Sequence, residues 1–259
     1  MNNLYCFYRI SDNFQKTLDN QGNILTKNKP EYITKINCFQ NFINIFKNYK
    51  IFVFADKCSP ETIESINEIL NKNNVSFKLI NTNFGNGAST LRKCITTILD
   101  LERDNIIKEN DNIYFIEDDY VHKPNSDKLI IDGLIKFDYV TLYDHPDKYV
   151  NANTSENGVI GNPFINSNSE QTRVFLGKYC HWKLTNSTTM TFALKFKTLK
   201  EDLPNILKYI SGDFPHDFQM FLDLIRNKKR LLASSIPGFS THGETIYLSP
   251  LTNWKDFIL

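Results

Sequence analysis

Short hydrophobic runs alternate with segments of helical spacing through the first half of the chain. Leu4-Tyr-Cys-Phe-Tyr8 is aromatic and apolar enough for a strand, closing on Arg9 and the polar Ser11-Asp12-Asn13. After a Gly-, Asn- and Lys-rich loop, Ile36, Phe39, Phe42, Ile43 and Phe46 recur as one face of a helix. Ile51-Phe-Val-Phe54 predicts a second strand that ends at Ala55-Asp56-Lys57. Ser59-Pro60-Glu61 then supplies a cap, a first-position proline and a first-turn acid for a helix lined by Ile63, Ile66, Ile69 and Leu70. Val75-Ser-Phe-Lys-Leu-Ile80 predicts a third strand. It is followed by the turn Asn83-Phe-Gly-Asn-Gly-Ala-Ser89 and an amphipathic helix from about 90 to 101. The run Ile113, Tyr114, Phe115, Ile116 has the make-up of a buried strand and stops at Glu117-Asp118-Asp119. A helix carrying Leu129, Ile130, Leu134 and Ile135 and a strand over 139–143 continue the alternation. Strand–helix alternation of this kind implies an α/β fold with a mostly parallel sheet.

The pattern changes beyond Asp147. Residues 151–169 are rich in Asn, Ser and Gly and predict a mobile surface loop. The stretch 173–199 is strand-prone, 217–225 is helical, and a last strand over 230–235 leads to Pro237-Gly-Phe-Ser-Thr-His242-Gly. No internal repeat or separating linker is present. A single domain over 1–259 is expected, divided into halves at 1–147 and 148–259.

Composition narrows the class. Apolar residues make up 41% of the 259, and aromatics 13%, enough for a sizeable core. Lys plus Arg number 30 against 29 acids, a net charge of +1 that argues against a general nucleic-acid binder. Five cysteines, an odd number without CxxC spacing, predict free thiols in a reducing compartment. The start Met1-Asn-Asn-Leu-Tyr5 lacks a basic region followed by a long apolar one, and no run approaches the ~18 apolar residues of a membrane span. A soluble, cytoplasmic protein without a transmembrane segment is the expectation.

The acid triplet carries the candidate chemistry, because carboxylates at the C-terminal end of a strand sit where open α/β sheets bind ligands. Two such charges about 4 Å apart repel by roughly 4 kcal/mol at an effective dielectric near 20. A divalent cation offsets that cost, and hard oxygen ligands favour Mg²⁺ or Mn²⁺ completed by substrate phosphates. The alternative is a solvated turn. Asp56 also follows a strand, either as a plain loop acid or as an acceptor for a base N–H. Arg9 suits stacking on that base or pairing with phosphate, against a structural ion pair with Asp12. Asn83, Gly85 and Gly87 form neither a P-loop nor a Rossmann fingerprint, but glycines let backbone pass close to a ligand, with Arg92 one turn into the helix that follows. Asp217, beside His216, suits a general base, and equally a first-turn acid favoured by the helix dipole. His242 is either structural or a ligand.

The order of these features resembles the GT-A glycosyltransferases, particularly inverting enzymes related to the large family 2. The likeness spans most of the chain: an acid after the second strand (Asp56), an Asn-x-Gly turn before a helix (Asn83, Gly85), a DxD-like Glu117-Asp118-Asp119, a late acid at a helix start (Asp217) and a C-terminal His242. It implies a GT-A (Rossmann-like) fold, with a mostly parallel central sheet, helices on both faces and a smaller C-terminal sheet on the acceptor side. The first half would hold a nucleotide-sugar donor through Arg9, Asp56, Asn83, Gly85, Arg92, Glu117 and Asp118. A divalent metal (Mn²⁺ or Mg²⁺) would sit on Asp119 and His242, and Asp217 would deprotonate the acceptor hydroxyl. The second half would bind a carbohydrate, lipid-linked or glycosylated acceptor through Trp182, Ser187 and Thr189. Two departures stand out: the triplet is Glu-Asp-Asp rather than Asp-x-Asp, and His-Asp replaces the family's frequent Glu-Asp, which leaves Asp213 as a rival base. A nucleotidyltransferase that makes a nucleotide sugar, or a catalytically silent glycan- or partner-binding protein of the same fold, are the alternative readings.

Overall fold

The structure, a computed structural model, describes residues 3–12 and 28–258 except 153, and the backbone alone of 17–18 and 24–25. Asn13 and most of the Gly-, Asn- and Lys-rich loop lie outside the described residues. In chain order the strands are β1 (Leu4–Ser11), two-residue β2 (Thr17–Leu18) and β3 (Ile24–Leu25), β4 (Lys50–Asp56), β5 (Phe77–Thr82), β6 (Asn112–Glu117), β7 (Tyr120–His122), β8 (Tyr139–Thr141), two-residue β9 (Ser155–Glu156) and β10 (Val159–Ile160), β11 (Val174–Leu176), β12 (His181–Leu184), β13 (Phe192–Lys195), β14 (Leu232–Ile236) and β15 (Ser240–His242). The helices are α1 (Lys35–Phe46), α2 (Pro60–Lys72), α3 (Gly87–Arg103), α4 (Ser126–Lys136), α5 (Phe196–Tyr209) and α6 (Asp217–Lys228).

Nine strands form one sheet in the order β11-β12-β14-β8-β13-β6-β1-β4-β5. Strand β1 runs parallel to β4 and β6, and β4 parallel to β5, so the C-terminal ends of this half of the sheet share one edge. The register pairs Ser11 with Asp56 and Arg9 with Glu117 along that edge. Strand β13 enters between β6 and β8, antiparallel to both, which stitches the second half of the chain into the middle of the first. The C-terminal strands β14, β12 and β11 extend this same sheet. Three antiparallel two-stranded pairs stand apart from it, β2–β3, β9–β10 and β7–β15.

Two-residue periodicity sends alternate residues of β1 to opposite faces. Cys6, Tyr8 and Ile10 meet Phe39, Phe42 and Phe46 of α1, Ile66 and Leu70 of α2 and Leu129 and Leu134 of α4. Tyr5 and Phe7 meet Leu91, Cys94 and Ile98 of α3, and Leu199 and Phe221 from α5 and α6 belong to that second layer. Burial on both faces explains why the central strands read as continuous apolar runs.

Local signals hold at the caps. Ser59 accepts from the Thr62 N–H at the start of α2, with Pro60 first in the helix. Three expectations change. The third strand begins at Phe77 and runs to Thr82; it is the edge strand, with a neighbouring strand on one side only and half-exposed along its length, so its apolar run is a poor guide to its ends. The end of the stretch expected to be strand is helix α5, whose buried Phe196, Leu199 and Ile206 follow helical spacing although Pro204 interrupts its interior. The 151–169 loop is tied down: β9 and β10 pair, and Phe164 stacks on Phe218 with ring centroids 5.8 Å apart. All five cysteines are free.

Candidate active site

Strand β6 delivers the acid triplet to the shared edge. Glu117 is fixed by Arg9, with Nη2 3.5 Å from Oε1, and by the Thr191 hydroxyl, which donates to Oε2 at 3.2 Å. Arg9 is itself buried and donates to the carbonyls of Met190 at 3.0 Å and Gly87 at 3.4 Å. It brackets β1, the start of α3 and the approach to β13. That corrects the expectation of an arginine laid on a base or a phosphate. Asp12 is not its partner either: that carboxylate accepts from the Ser59 N–H at 2.6 Å and the Thr62 hydroxyl at 3.0 Å, capping α2.

Asp118 accepts from the Ser11 N–H at 2.9 Å and lies 3.2 Å from Lys35 Nζ. Burial pushes its carboxyl up, and Lys35 only partly opposes this while the neighbouring Asp119 adds to it. Asp119 behaves in the opposite way. Burial again pushes upward, but His242 and Lys29 outweigh it and hold the group well below the usual carboxylate range. His242 Nε2 is 3.1 Å and Lys29 Nζ 2.7 Å from the same oxygen, Oδ2.

The meeting of Asp119 and His242 follows from the small sheet. Strand β7 begins directly after the triplet, and its register with β15 sets Tyr120 opposite His242. Gly243 is required at the next position, because a Cβ there would lie 2.8 Å from the Asp119 carbonyl oxygen and 2.6 Å from Ile33 Cγ2. One ionised carboxylate and one imidazole facing each other suit Mn²⁺ or Mg²⁺, which takes one or two protein ligands beside substrate phosphates. Among the described residues no group of three or more His, Cys, Asp or Glu assembles as a metal set. A divalent ion would therefore fit here only as a shared site with a phosphorylated ligand.

Asp56 is committed elsewhere. Its Oδ1 accepts from Phe84 N–H at 2.7 Å and the Thr82 hydroxyl at 3.0 Å, and its Oδ2 from Gly85 N–H at 2.8 Å and the Thr90 hydroxyl at 3.1 Å. Four donors use the lone-pair sites of the carboxylate, so it shapes the turn instead of offering an acceptor to a base. Gly85 has a φ of +75°, the left-handed conformation that glycine adopts without strain. Asn83 stays near the surface and, with Lys57, Asn81 and Thr82, lines a depression over the ends of β4 and β5. Arg92 turns away from the acids. Its guanidinium donates to the carbonyls of Ile210 and Gly212 and to the Ser89 hydroxyl, fastening the α5–α6 connection to α3.

Asp217 opens α6 and accepts from the Phe218 N–H at 2.7 Å. Burial and then the nearby Glu117 charge push its carboxyl up to about 6, with His242 opposing. Asp217 therefore lies within electrostatic reach of Glu117 and His242. Asp213 is exposed, and its carbonyl accepts from the Ala88 N–H. Thr189 also reaches the site, through a hydrogen bond to the hydroxyl of Tyr120. Trp182 and Ser187 do not. Trp182 is fully buried against Phe137 and Gly133, a core residue rather than a sugar platform, because its turn of the β12 pleat faces α4. Ser187 accepts from buried Lys148 at 2.7 Å, within an ion network that also joins Lys183 to Asp144 at 2.9 Å.

The sequence reading missed Lys29, Lys35 and Thr191. Lys35 had a signal: a cation in a helix's first turn is disfavoured by the helix dipole unless an acid offsets it. Lys29 and Thr191 carried none, since only the fold brings them to the triplet.

No family model matches the chain, and no curated protein matches it. Solved structures do. A Bacillus anthracis protein described as a glucose-1-phosphate thymidylyltransferase, in complex with sucrose, is similar over 93% of this chain and 90% of its own, at 13% identity and a TM-score of 0.53. A nucleoside-diphosphate-sugar pyrophosphorylase from Vibrio cholerae RC9 has 11% identity and a TM-score of 0.49, over 83% of this chain and 88% of its own. TarS of S. aureus has 13% identity and a TM-score of 0.47, over 92% of this chain but 36% of its own. At such identities the likeness concerns fold alone, and the fold is the GT-A (Rossmann-like) arrangement of a mostly parallel sheet between helices.

Proposed function

We propose that this chain is a metal-assisted glycosyltransferase that moves a sugar from a nucleotide-diphosphate donor to an acceptor hydroxyl with inversion. The observation that carries the reading is the pairing of Asp119 with His242 at 3.1 Å, with Asp217, a carboxyl raised to about 6 by burial and then by Glu117, within electrostatic reach of His242. A base of that strength is ionised at neutral pH yet strong enough to accept a hydroxyl proton in the transition state. Asp119 and His242 would hold a divalent ion, which neutralises charge on the leaving diphosphate when bound. Asp118, anchored by Ser11 and Lys35, lies where a ribose hydroxyl would be met, and the Asp56-organised turn with Asn83 lines the base end. Asp217 removes the acceptor proton as the acceptor oxygen attacks the anomeric carbon from the side opposite the diphosphate. Glu117, clamped by Arg9 and Thr191, keeps negative charge beside that base and so preserves its strength.

A sugar nucleotidyltransferase shares the fold, as the thymidylyltransferase likeness illustrates. Its nucleophile, a sugar phosphate, is already anionic and needs no general base, so the strengthened Asp217 favours glycosyl transfer. The test is a thermal-shift series of nucleoside diphosphates and nucleotide sugars with Mn²⁺, Mg²⁺ or EDTA, on the native chain and on Asp119→Asn. A ligand at 100 times its dissociation constant adds about 2.7 kcal/mol of stability. A metal-dependent shift with one nucleotide series, lost in Asp119→Asn, is the expected result. No shift with any nucleotide sinks the proposal, and pyrophosphate release from a nucleoside triphosphate and a sugar phosphate replaces it with the nucleotidyltransferase.

A further inference from the structure

Asp119 Oδ2 already has a cation on it. Lys29 Nζ lies 2.7 Å from that oxygen, on the same atom that His242 approaches at 3.1 Å. The lysine is held there by its surroundings. The carbonyl of the preceding Asn28 accepts from both the N–H and the hydroxyl of Thr245 at 2.8 Å, three residues after His242. Pro30 and Ile33 close a turn through a 2.9 Å hydrogen bond, and Ile33 packs against Gly243 so closely that a Cβ there would clash. The segment that carries Lys29 is therefore built onto the segment that carries His242.

We infer that the Lys29 ammonium is the resident countercharge of Asp119 in the donor-free protein, and that it must leave this carboxylate before a divalent cation can use it. The inference rests on the metal assignment made above. A divalent ion and an ammonium cannot share one carboxylate oxygen at these distances without strong repulsion. An arriving diphosphate offers the lysine a better-charged partner within reach of the same flexible stem, and releases Asp119. The metal consequently enters with the donor rather than ahead of it. Lys35 differs in that its ammonium lies 3.2 Å from Asp118 Oδ2.

The experiment titrates Mn²⁺ alone into the full chain without nucleotide, followed by loss of the free-ion electron paramagnetic resonance signal. Native protein, Lys29→Met, Lys35→Met and Lys29→Met/Asp119→Asn are compared. Lys29→Met is expected to bind Mn²⁺ about tenfold or more tightly than the native chain. Lys35→Met should stay within about twofold of native, and the double variant should lose the gain. Equal affinity of Lys29→Met and native protein overturns the inference while leaving the metal site standing. An equal gain in Lys35→Met also overturns it, since the effect would then be one of net charge. Absence of Mn²⁺ binding in native and Lys29→Met alike also overturns the inference, while the metal assignment, which counts on a phosphorylated ligand to complete the shell, is judged by the metal dependence of the thermal shift with nucleotides. The thermal shift with nucleotides in EDTA then reports separately whether the donor site survives.

Discussion

Replacing Asp217 by Asn should make the protein more stable and less active at once. The carboxyl titrates at about 6 in the folded chain against 3.8 for the free group, because burial and then Glu117 disfavour its charged form. Between those values the folded state holds a proton that the unfolded state has released, so stability falls as pH rises through the window. At about 1.4 kcal/mol per pH unit the full difference is about 3 kcal/mol, present above pH 6 and absent below about 4. The side chain keeps some solvent contact, which reduces the expected gain to about 1–3 kcal/mol. Asn retains the Oδ1 that accepts from Phe218 N–H, so little opposes the gain. Urea unfolding of both proteins at pH 7.5 and pH 4 reads it: the variant should be more stable at 7.5 and nearly equal at 4. Turnover should drop by about 10²–10⁴ with donor binding unchanged. A variant no more stable at pH 7.5, or equally stabilised at both pH values, refutes the electrostatic reasoning. Normal turnover refutes the assignment of the base.

Burial is the main cause that lifts Asp217 and Glu117 the second, so Glu117→Gln should move the acid limb of kcat/KM against pH only part of the way down from about 6, as a steady-state pH profile would report. Asp56→Asn turns one acceptor oxygen into a donor facing two of the four groups around it; chemical denaturation should show a loss of about 2–5 kcal/mol. Trp182→Ala should cost about 3–5 kcal/mol by the same measure, and any protein that remains folded should keep its acceptor KM.

What the sequence revealed follows from which interactions are local. The strand–helix alternation, the Ser59 cap and the acid triplet were legible because each is written within a few residues. Asp217 and His242 were singled out for their types and positions; the fold brings His242 onto Asp119, and Asp217 lies within electrostatic reach of Glu117 and His242. Trp182 misled because a tryptophan's role depends on which way its pleat faces, and neighbouring residues of β12 point to opposite sides. Arg9 and Arg92 misled for a related reason: each guanidinium lies close to the cleft in sequence terms but satisfies backbone carbonyls of distant segments. Helix α5 was hidden by Pro204 within an otherwise regular face.

The pairing of Tyr120 with His242 has a consequence for how the protein is made. The triplet leaves the ribosome well before its histidine partner, and β6 lacks its neighbour β13 until residue 195 has been synthesised. Until then the buried carboxylates face an unfinished sheet, and contacts so distant along the chain form slowly. Truncation anywhere between residues 119 and 242 leaves a chain that contains all three acids and lacks the histidine that Asp119 meets. The contact between Asp119 and His242 is thus among the last that the growing chain can make.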